Sequence, residues 1–340
     1  MMSRTTFRKV IVTPELLEQV NPKNKRLCAQ FLREKDTRSS DTTVEGYTSD
    51  LNIFLTWNLL FNGNKFFTDI TKLEFSDYFY YCTKILNYGS ARFNRMRSCL
   101  SVLSQFVEKY LDSEYPQFRN IILKTIATMP KVERREKTIL SDEQIDDLFH
   151  YLDIEIGHIQ EATLLALAIA SGSRVSELFR FQCAMIDEKS VQFNGLFLET
   201  TSKIKTKGRT KQGDMKNKYI IKDIFLPYYY RWLPIREEIM KKNDKEHDFI
   251  FIKADGSPAN VATFRSWIVK WEKRLKVPVY PHAFRHRIVS YLTRIGLPEN
   301  LIIELMGWRS GGAMYKIYND NEAKDMEWKE LDKLKQALKN

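Results

Sequence analysis

Residues 281–318 constrain the fold most, because short apolar segments with helical spacing are separated there by glycines. Pro281 suits the first turn of a helix, where its missing N–H has no intrahelical partner. Gly296 is expected to end this helix and Gly307 the next one, since glycine readily adopts the left-handed conformation that closes helices. The series therefore predicts that Trp308 emerges beside the side chains that the first helix presents.

The size and charge of the chain limit its class. A length of 340 residues is sufficient for two domains with separate cores. An apolar content of 43% excludes a globally disordered chain. The net charge of +11 suits a polyanionic partner such as nucleic acid, although many basic proteins have no such partner.

The four cysteines form no Cys-x-x-Cys pair, so they predict neither a zinc site nor a disulfide framework: Cys28, Cys82, Cys99 and Cys183. No carboxylate cluster indicates a metal site, and no metal or other cofactor is expected. The sequence has no apolar run of membrane-spanning length, and its N-terminus lacks the apolar core of a signal peptide. A cytoplasmic location without membrane attachment is therefore expected.

The first part of the chain is predicted to be all-helical. Apolar residues recur at helical spacing in four stretches, residues 24–38, 41–60, 75–86 and 90–111. The last of these helices carries arginines near its start: Arg92, Arg95 and Arg97. These arginines either form the exposed end of a core helix or bind DNA phosphates.

Arg174 follows a strongly apolar helix that runs into the turn Ser171-Gly172-Ser173. A guanidinium beside such a helix is costly to bury unless it meets an anion. Glu177, three residues further on, offers a salt bridge. A bound anion is the alternative partner for this arginine.

A lysine-rich stretch separates two segments with strand character, residues 191–198 and 219–225. The simplest prediction is a β-hairpin whose turn contains residues 203–218. Residues 203–222 contain eight basic residues and one acid, Asp214, which is also typical of a solvated loop. The predicted fold class is mainly α with a small antiparallel β-sheet.

Four segments resemble the motifs of tyrosine recombinases, the phage integrase family: SGSRVSEL (residues 171–178), HAFRH (282–286), LMGW (305–308) and KIY (316–318). In that family an arginine box precedes a His-x-x-Arg-His motif, a glycine, a Leu-Gly-His or Leu-Gly-Trp, and the nucleophilic tyrosine. The distances from His282 to Gly296 and on to Trp308 fit the pattern. This chain departs from it at the tyrosine, because Ile317 occupies the usual family position.

The resemblance implies a catalytic set of six residues: Arg174, Lys205, His282, Arg285, Trp308 and Tyr318. The two arginines would hold the scissile phosphate, the histidine would act as base or proton relay, and the lysine would protonate the departing 5′-oxygen. The tryptophan would bind the phosphate or pack the tyrosine segment. Lys203 and Lys207 alternate with the chosen lysine and remain alternatives to it, as Tyr315 remains an alternative nucleophile.

Composition and resemblance together divide the chain into five parts: a flexible arm (residues 1–12), a helical core-binding domain (13–129), a linker (130–138), an α+β catalytic domain (139–318) and a C-terminal helix that docks on a neighbouring protomer (319–340). The part after residue 318 has an apolar stripe that a monomer would have to cover. In the family such a tail connects protomers.

The function implied by the resemblance is site-specific recombination of double-stranded DNA, as in integration, excision or inversion. It proceeds through a 3′-phosphotyrosyl intermediate and a Holliday junction, within a homotetramer. Six basic residues are expected to contact DNA: Arg92, Arg95, Arg97, Lys203, Lys207 and Arg209. Two alternatives are a type IB topoisomerase, disfavoured by the C-terminal helix, and a catalytically altered DNA-binding regulator, disfavoured by the complete set of catalytic residue types.

Overall fold

A computed structural model describes residues 12–130, 139–206, 213–280 and 282–308, together with Tyr315. The chain divides into two compact units. Residues 12–130 belong to the N-terminal unit, and residues 139–206 with the described residues from 214 onward belong to the C-terminal unit. Three predicted features lie outside the described residues: all but the last residue of the arm, residues 131–138 of the linker, and the C-terminal helix.

The N-terminal unit consists of helices: α1 (Pro14–Gln19), α2 (Pro22–Asp36), α3 (Asp41–Phe61), α4 (Lys72–Lys84), α5 (Ser90–Tyr110) and α6 (Ile122–Thr125). Thr13 caps α1, and Thr71 forms a capping box with Glu74 at the start of α4. These side-chain oxygens accept hydrogen bonds from backbone N–H groups that have no partner within the first helical turn. The prediction of a helical N-terminal half is confirmed.

Aromatic side chains from α3 and α4 form the centre of this unit. The ring of Phe54 meets Tyr78 edge to face, with 5.0 Å between their centroids, and stacks on Phe75 at 5.9 Å. Trp57, one turn after Phe54, contacts the same tyrosine at 5.1 Å. All four rings are buried. The apolar stripe that predicts α3 is therefore the face that joins it to α4.

The C-terminal unit contains further helices: α7 (Asp142–His150), α8 (Ile159–Ser171), α9 (Val175–Leu178), α10 (Lys222–Lys242), α11 (Val261–Leu275), α12 (Ala283–Arg294) and α13 (Glu299–Leu305). Helix α8 lies at its centre, because almost every residue of α8 is buried and both α10 and α12 pack against it. Among the helices in the described ranges, none is long and apolar enough to cross a membrane.

Five short strands complete the C-terminal unit: β1 (Val191–Gln192), β2 (Phe197–Glu199), β3 (Ile204–Thr206), β4 (Asp214–Lys216) and β5 (Tyr219–Ile221). Strands β1, β2 and β5 form one antiparallel sheet in that order, and β3 pairs with β4 in a separate hairpin. The fold class, mainly α with a small antiparallel sheet, is confirmed.

The prediction of one continuous strand over residues 191–198 is wrong, because the segment contains two strands, β1 and the start of β2. Phe193, Asn194 and Gly195 have φ values of 52°, 56° and 80°, so they form a turn that folds β2 back onto β1. Alternating hydrophobicity does not reveal such a turn, although an Asn-Gly pair is a known hairpin signal. The predicted strand over residues 219–225 also ends early, because α10 begins at Lys222.

Helix α10 continues through Pro227 and Pro234, although prolines usually limit the regularity of a helix. Each proline removes one backbone hydrogen bond, so side-chain contacts must compensate. Trp232 donates its indole N–H to the carbonyl of Ile250 at 2.8 Å, and the guanidinium of Arg236 donates to the carbonyl of Phe249 at 2.8 Å. Both donors are buried, and they fasten the helix to the segment that precedes α11.

Gly172 ends α8 in the left-handed conformation, with φ of 56°. A Cβ atom at this position would lie 2.7 Å from the sulfur of Met306 and 2.8 Å from Cγ2 of Ile288. The absence of a side chain therefore lets α12 and the end of α13 approach the end of α8. Both the backbone conformation and the close contact require glycine here.

We predict that Gly172→Ala lowers the free energy of unfolding by about 2–5 kcal/mol, which combines left-handed strain with the steric clash. Gly157→Ala is the matched control, because Gly157 has a similar φ of 62° but a Cβ atom added to it would meet no atom within 4 Å. The control should lose only the strain component, about 1–2 kcal/mol. Urea unfolding of both variants measures the difference. Equal losses would contradict the packing argument.

Candidate active site

Arg174 lies at the start of α9 and is held there by Glu177. Its backbone N–H donates to Oε2 of Glu177 at 3.1 Å, and its Nη1 donates to Oε1 at 2.8 Å. The arginine side chain is 25% exposed, whereas the carboxylate is fully buried. The salt bridge, one of the two alternatives that the sequence offers, therefore exists, and it leaves the guanidinium partly open to an anion.

Lys218 is the second cation on the same carboxylate. Its Nζ donates to Oε2 of Glu177 at 2.7 Å, and its side chain is 3% exposed. Burial alone would raise the pKa of Glu177, but the charges and hydrogen bonds of Lys218 and Arg174 outweigh it and hold that pKa at about 2. Burial lowers the pKa of Lys218, an effect that Glu177 opposes and Arg285 adds to.

Arg285 is 1% exposed and makes its contacts with backbone carbonyl groups. Its Nη1 donates to Gly172 at 2.7 Å and its Nη2 to Met306 at 3.2 Å. The guanidinium also lies over the ring of Trp308, 5.1 Å from the centroid. The sequence places Trp308 beside the first helix of the C-terminal motif, and the structure has it there.

His282 immediately precedes α12, and its carbonyl accepts the N–H of His286 at 2.9 Å. The ring retains an exposed surface, yet partial loss of hydration is the largest effect that lowers the pKa of His282. The positive charges of Arg285 and Arg174 lower it further, and Glu177 opposes them. A histidine with a lowered pKa is neutral at pH 7 and can accept a proton.

The hairpin of β3 and β4 carries Lys205, whose side chain is exposed. Arg180, just after α9, donates to the carbonyl of Lys205 at 2.6 Å. On the opposite strand Lys216 donates to the carbonyl of Gly307 at 2.8 Å. The hairpin is thus connected to both the arginine box and the turn before Trp308. Lys203 is exposed before β3, whereas Lys207 and Arg209 lie outside the described residues.

Of the two candidate nucleophiles, the described residues include Tyr315. Tyr315 is partly buried against the apolar cluster of α12 and α13, and its hydroxyl lies 3.0 Å from that of Thr293. Thr293 is itself buried on α12. Tyr318, the first choice from the sequence, lies outside the described residues.

The arginines of α5 have partners within the N-terminal unit. Arg92 and Arg95 contact the buried carboxylate of Asp50 at 2.6 and 2.9 Å. Burial raises the pKa of Asp50, and the two guanidiniums oppose that rise. Arg97 donates to the carbonyl of Leu123 at 3.1 Å. All three therefore support the fold, and their contact with DNA stays a prediction.

The sequence interpretation missed Lys218 and Arg180. Lys218 belongs to the lysine-rich stretch that is typical of a solvated loop, but it precedes the buried Ile220 by two positions. Because side chains in a strand alternate between its faces, that spacing indicates an inward-facing lysine. Nothing in the sequence identifies the carbonyl of Lys205 as the acceptor for Arg180.

Four of the six predicted catalytic residues are linked in the C-terminal unit. Arg285 binds the carbonyl of Gly172, two residues before Arg174, and lies over the ring of Trp308, and the charges of Arg285 and Arg174 act on His282. Lys205 is carried by a hairpin that hydrogen bonds connect to this group. The partly exposed guanidinium of Arg174 can bind an anion, the buried guanidinium of Arg285 adds positive charge beside it, and the neutral histidine can accept a proton. Within the described ranges, no three His, Cys, Asp or Glu side chains are grouped as metal ligands.

The comparison with known families identifies the chain. Residues 138–325 match the Phage integrase family, and the chain belongs to that family. Among its relatives is the tyrosine recombinase XerS of Streptococcus uberis, 23% identical over 243 residues, which cover 64% of each chain. The tyrosine recombinase XerC of Oceanobacillus iheyensis is 26% identical over 285 residues, 81% of this chain and 84% of the relative. The chain thus spans about 64% of the length of the first relative.

Solved structures agree with the fold. The Tn1549 transposon integrase in complex with circular intermediate DNA matches with a TM-score of 0.63 and 14% identity, over 90% of this chain and 98% of that one. A lambda integrase tetramer bound to a Holliday junction matches with a TM-score of 0.60 and 16% identity, over 87% and 77%. At these identities the likeness establishes the fold alone.

We predict that Glu177→Gln lowers the free energy of unfolding at pH 7 by about 3–5 kcal/mol, because it leaves the buried ammonium of Lys218 without a carboxylate. The folded-state pKa of Glu177, about 2, is below its ordinary value of 4.5, so its contribution is fully present above pH 4.5 and is lost as the pH falls toward 2. The gap between wild type and variant should therefore narrow over that range.

Urea unfolding at pH 7, 5, 4 and 3 measures this gap. Glu246→Gln is the matched control. Glu246 is exposed, so this substitution should change the free energy of unfolding little at any pH. A gap that stays constant from pH 7 to pH 3 would contradict the assignment of a depressed carboxyl pKa to the site.

Proposed function

We propose that this chain is a site-specific recombinase that cleaves and rejoins double-stranded DNA through a 3′-phosphotyrosyl intermediate. The observation that carries the proposal is the convergence of Arg174, Arg285 and a histidine of lowered pKa in a unit of the phage integrase family. Relatives named as tyrosine recombinases favour this function over supercoil relaxation and over a purely regulatory DNA-binding role.

The arginines would stabilise the charge that develops on the phosphate during transfer. Guanidinium groups bind two phosphate oxygens at once, and in a partly dry site their attraction is stronger than in water. They supply the positive charge that a metal ion supplies in many other phosphoryl transfers. Trp308 would keep the plane of Arg285 in place by stacking on it or would contact the phosphate itself.

His282 and Lys205 would move the protons. A tyrosine hydroxyl has an ordinary pKa near 10 and becomes a good nucleophile only when a base removes its proton. His282 is suited to that step because its lowered pKa keeps the ring neutral. Lys205, on the exposed face of β3, would protonate the departing 5′-oxygen, with Lys203 and Lys207 as alternatives.

Tyr318 is the proposed nucleophile, and Tyr315 its anchor. The hydroxyl of Tyr315 lies 3.0 Å from that of the buried Thr293, and its ring packs on the apolar cluster of α12 and α13. Tyr318 follows three residues later in the sequence.

The proposed assembly is a homotetramer on DNA. The lambda integrase neighbour is described as a tetramer bound to a Holliday junction, and the Tn1549 neighbour as a complex with DNA. By analogy, residues 13–129 would form the core-binding domain and residues 139–318 the catalytic domain. Residues 319–340 would dock on the next protomer. Action on DNA also agrees with a cytoplasmic location.

We predict that wild-type protein forms a covalent adduct with a nicked suicide DNA substrate, that Tyr318→Phe abolishes the adduct, and that Tyr315→Phe retains it at a reduced rate. Phenylalanine removes the attacking oxygen and preserves ring packing. Denaturing gel electrophoresis of the trapped complex, on DNA taken from sequence flanking the gene, measures the result. Loss with Tyr315→Phe alone would move the nucleophile to Tyr315, and no wild-type adduct on bound DNA would contradict the recombinase function.

We also predict that Lys205→Ala slows cleavage of ordinary DNA by about 10²- to 10⁴-fold, as expected for loss of a general acid. A substrate with sulfur in place of the bridging 5′-oxygen should restore the rate, because a thiolate leaves without a proton. Lys203→Ala and Lys207→Ala are the matched controls. Rescue by sulfur in one of these controls, and not in Lys205→Ala, would identify a different lysine as the proton donor.

A further inference from the structure

Lys218 is a buried lysine that none of the proposed catalytic steps uses. Its side chain is 3% exposed, and a buried ammonium is unfavourable unless it is paired and hydrogen-bonded. Its backbone is fixed by Thr200 through two hydrogen bonds, from the lysine N–H to the threonine Oγ1 at 3.0 Å and from the threonine N–H to the lysine carbonyl at 2.9 Å. The position of this lysine is therefore well defined.

The ammonium shares the carboxylate of Glu177 with Arg174. Oε2 accepts from Lys218 and from the backbone of Arg174, and Oε1 accepts from the guanidinium. If the glutamate had only the arginine as its counter-ion, the pair would carry no net charge. With the lysine present, the three groups together carry a charge of about +1, since carboxylate and ammonium neutralise each other.

We propose that Lys218 is a positioning residue that neutralises and fixes Glu177. Arg174 thereby keeps its orientation, and its positive charge is left for the scissile phosphate because it is not cancelled by the carboxylate. This inference rests on the proposed recombinase function. Lys218 is distinct from the proton donor, because its ammonium is buried on Glu177, whereas Lys205 is exposed.

The geometry also explains why a lysine is suited to this place. Glu177 lies on α9 and Lys218 immediately precedes β5, so this ion pair connects the helix to the sheet. Lys218 and Arg174 both donate to this carboxylate, so the two cations lie close together around a single anion. Removal of one cation therefore changes the field at the other.

The test compares Lys218→Met and Lys218→Arg with wild type, and uses Lys241→Met as a matched control on the exposed end of α10. DNA affinity and the first-order rate of adduct formation from the preformed complex are measured separately. We expect Lys218→Met to reduce the rate by about 10- to 100-fold with affinity changed less than about threefold, as for a misplaced catalytic group. Lys218→Arg should recover most of the rate, and Lys241→Met should match wild type.

A double-mutant cycle tests whether Lys218 acts through Glu177. In a Glu177→Gln background, Lys218→Met should reduce the rate by less than about threefold, because the carboxylate it serves is already gone. The double variant has no unpaired buried charge, so it remains measurable even if Lys218→Met alone folds poorly. An equal loss in both backgrounds would overturn the inference.

A sulfur-substituted 5′-leaving group separates positioning from proton donation. It should not restore the rate of Lys218→Met, and a full restoration would overturn the positioning role. If Lys218→Met cleaves the DNA at the wild-type rate, this inference alone is overturned. A wild-type protein that binds the DNA but forms no adduct would overturn the proposed function, and this inference with it.

Discussion

The C-terminal unit depends on the buried guanidinium of Arg285. A permanently charged group in an apolar interior must be surrounded by acceptors, and Arg285 finds them in the carbonyl groups of Gly172 and Met306 and in the face of Trp308. These partners belong to the end of α8 and the end of α13. The hydrogen bonds of this one guanidinium thus hold the end of α8 and the end of α13 close together, although they are far apart in the sequence.

Repulsion between neighbouring cations is a second electrostatic constraint on this site. The positive charges of Arg174, Arg285 and Lys218 repel each other, and a dry environment strengthens that repulsion. Glu177, fully buried among them, offsets it and retains its charge because of the depressed pKa. The proposed binding of a phosphate diester needs such an excess of positive charge, and this arrangement maintains it before any substrate arrives.

The sequence predicted what depends on local spacing. The Arg174–Glu177 pair, a helix start close to Pro281 and the helix ends near Gly296 and Gly307 all follow from neighbours within a few residues. The partners that it could not predict are distant ones. Asp50 precedes the arginines of α5 by more than forty positions, and Lys218 follows its carboxylate by a similar separation. No periodicity specifies a tertiary pairing of this kind, and only the alternation that buries Lys218 hinted at one.

The hairpin that carries Lys205 is held through backbone atoms at both of its connections. Arg180 binds the carbonyl of Lys205, and Lys216 binds the carbonyl of Gly307. A carbonyl oxygen is present whatever the side chain, so the side chains on which the two bonds depend are those of the donors. The location of the hairpin is therefore encoded in Arg180 and Lys216.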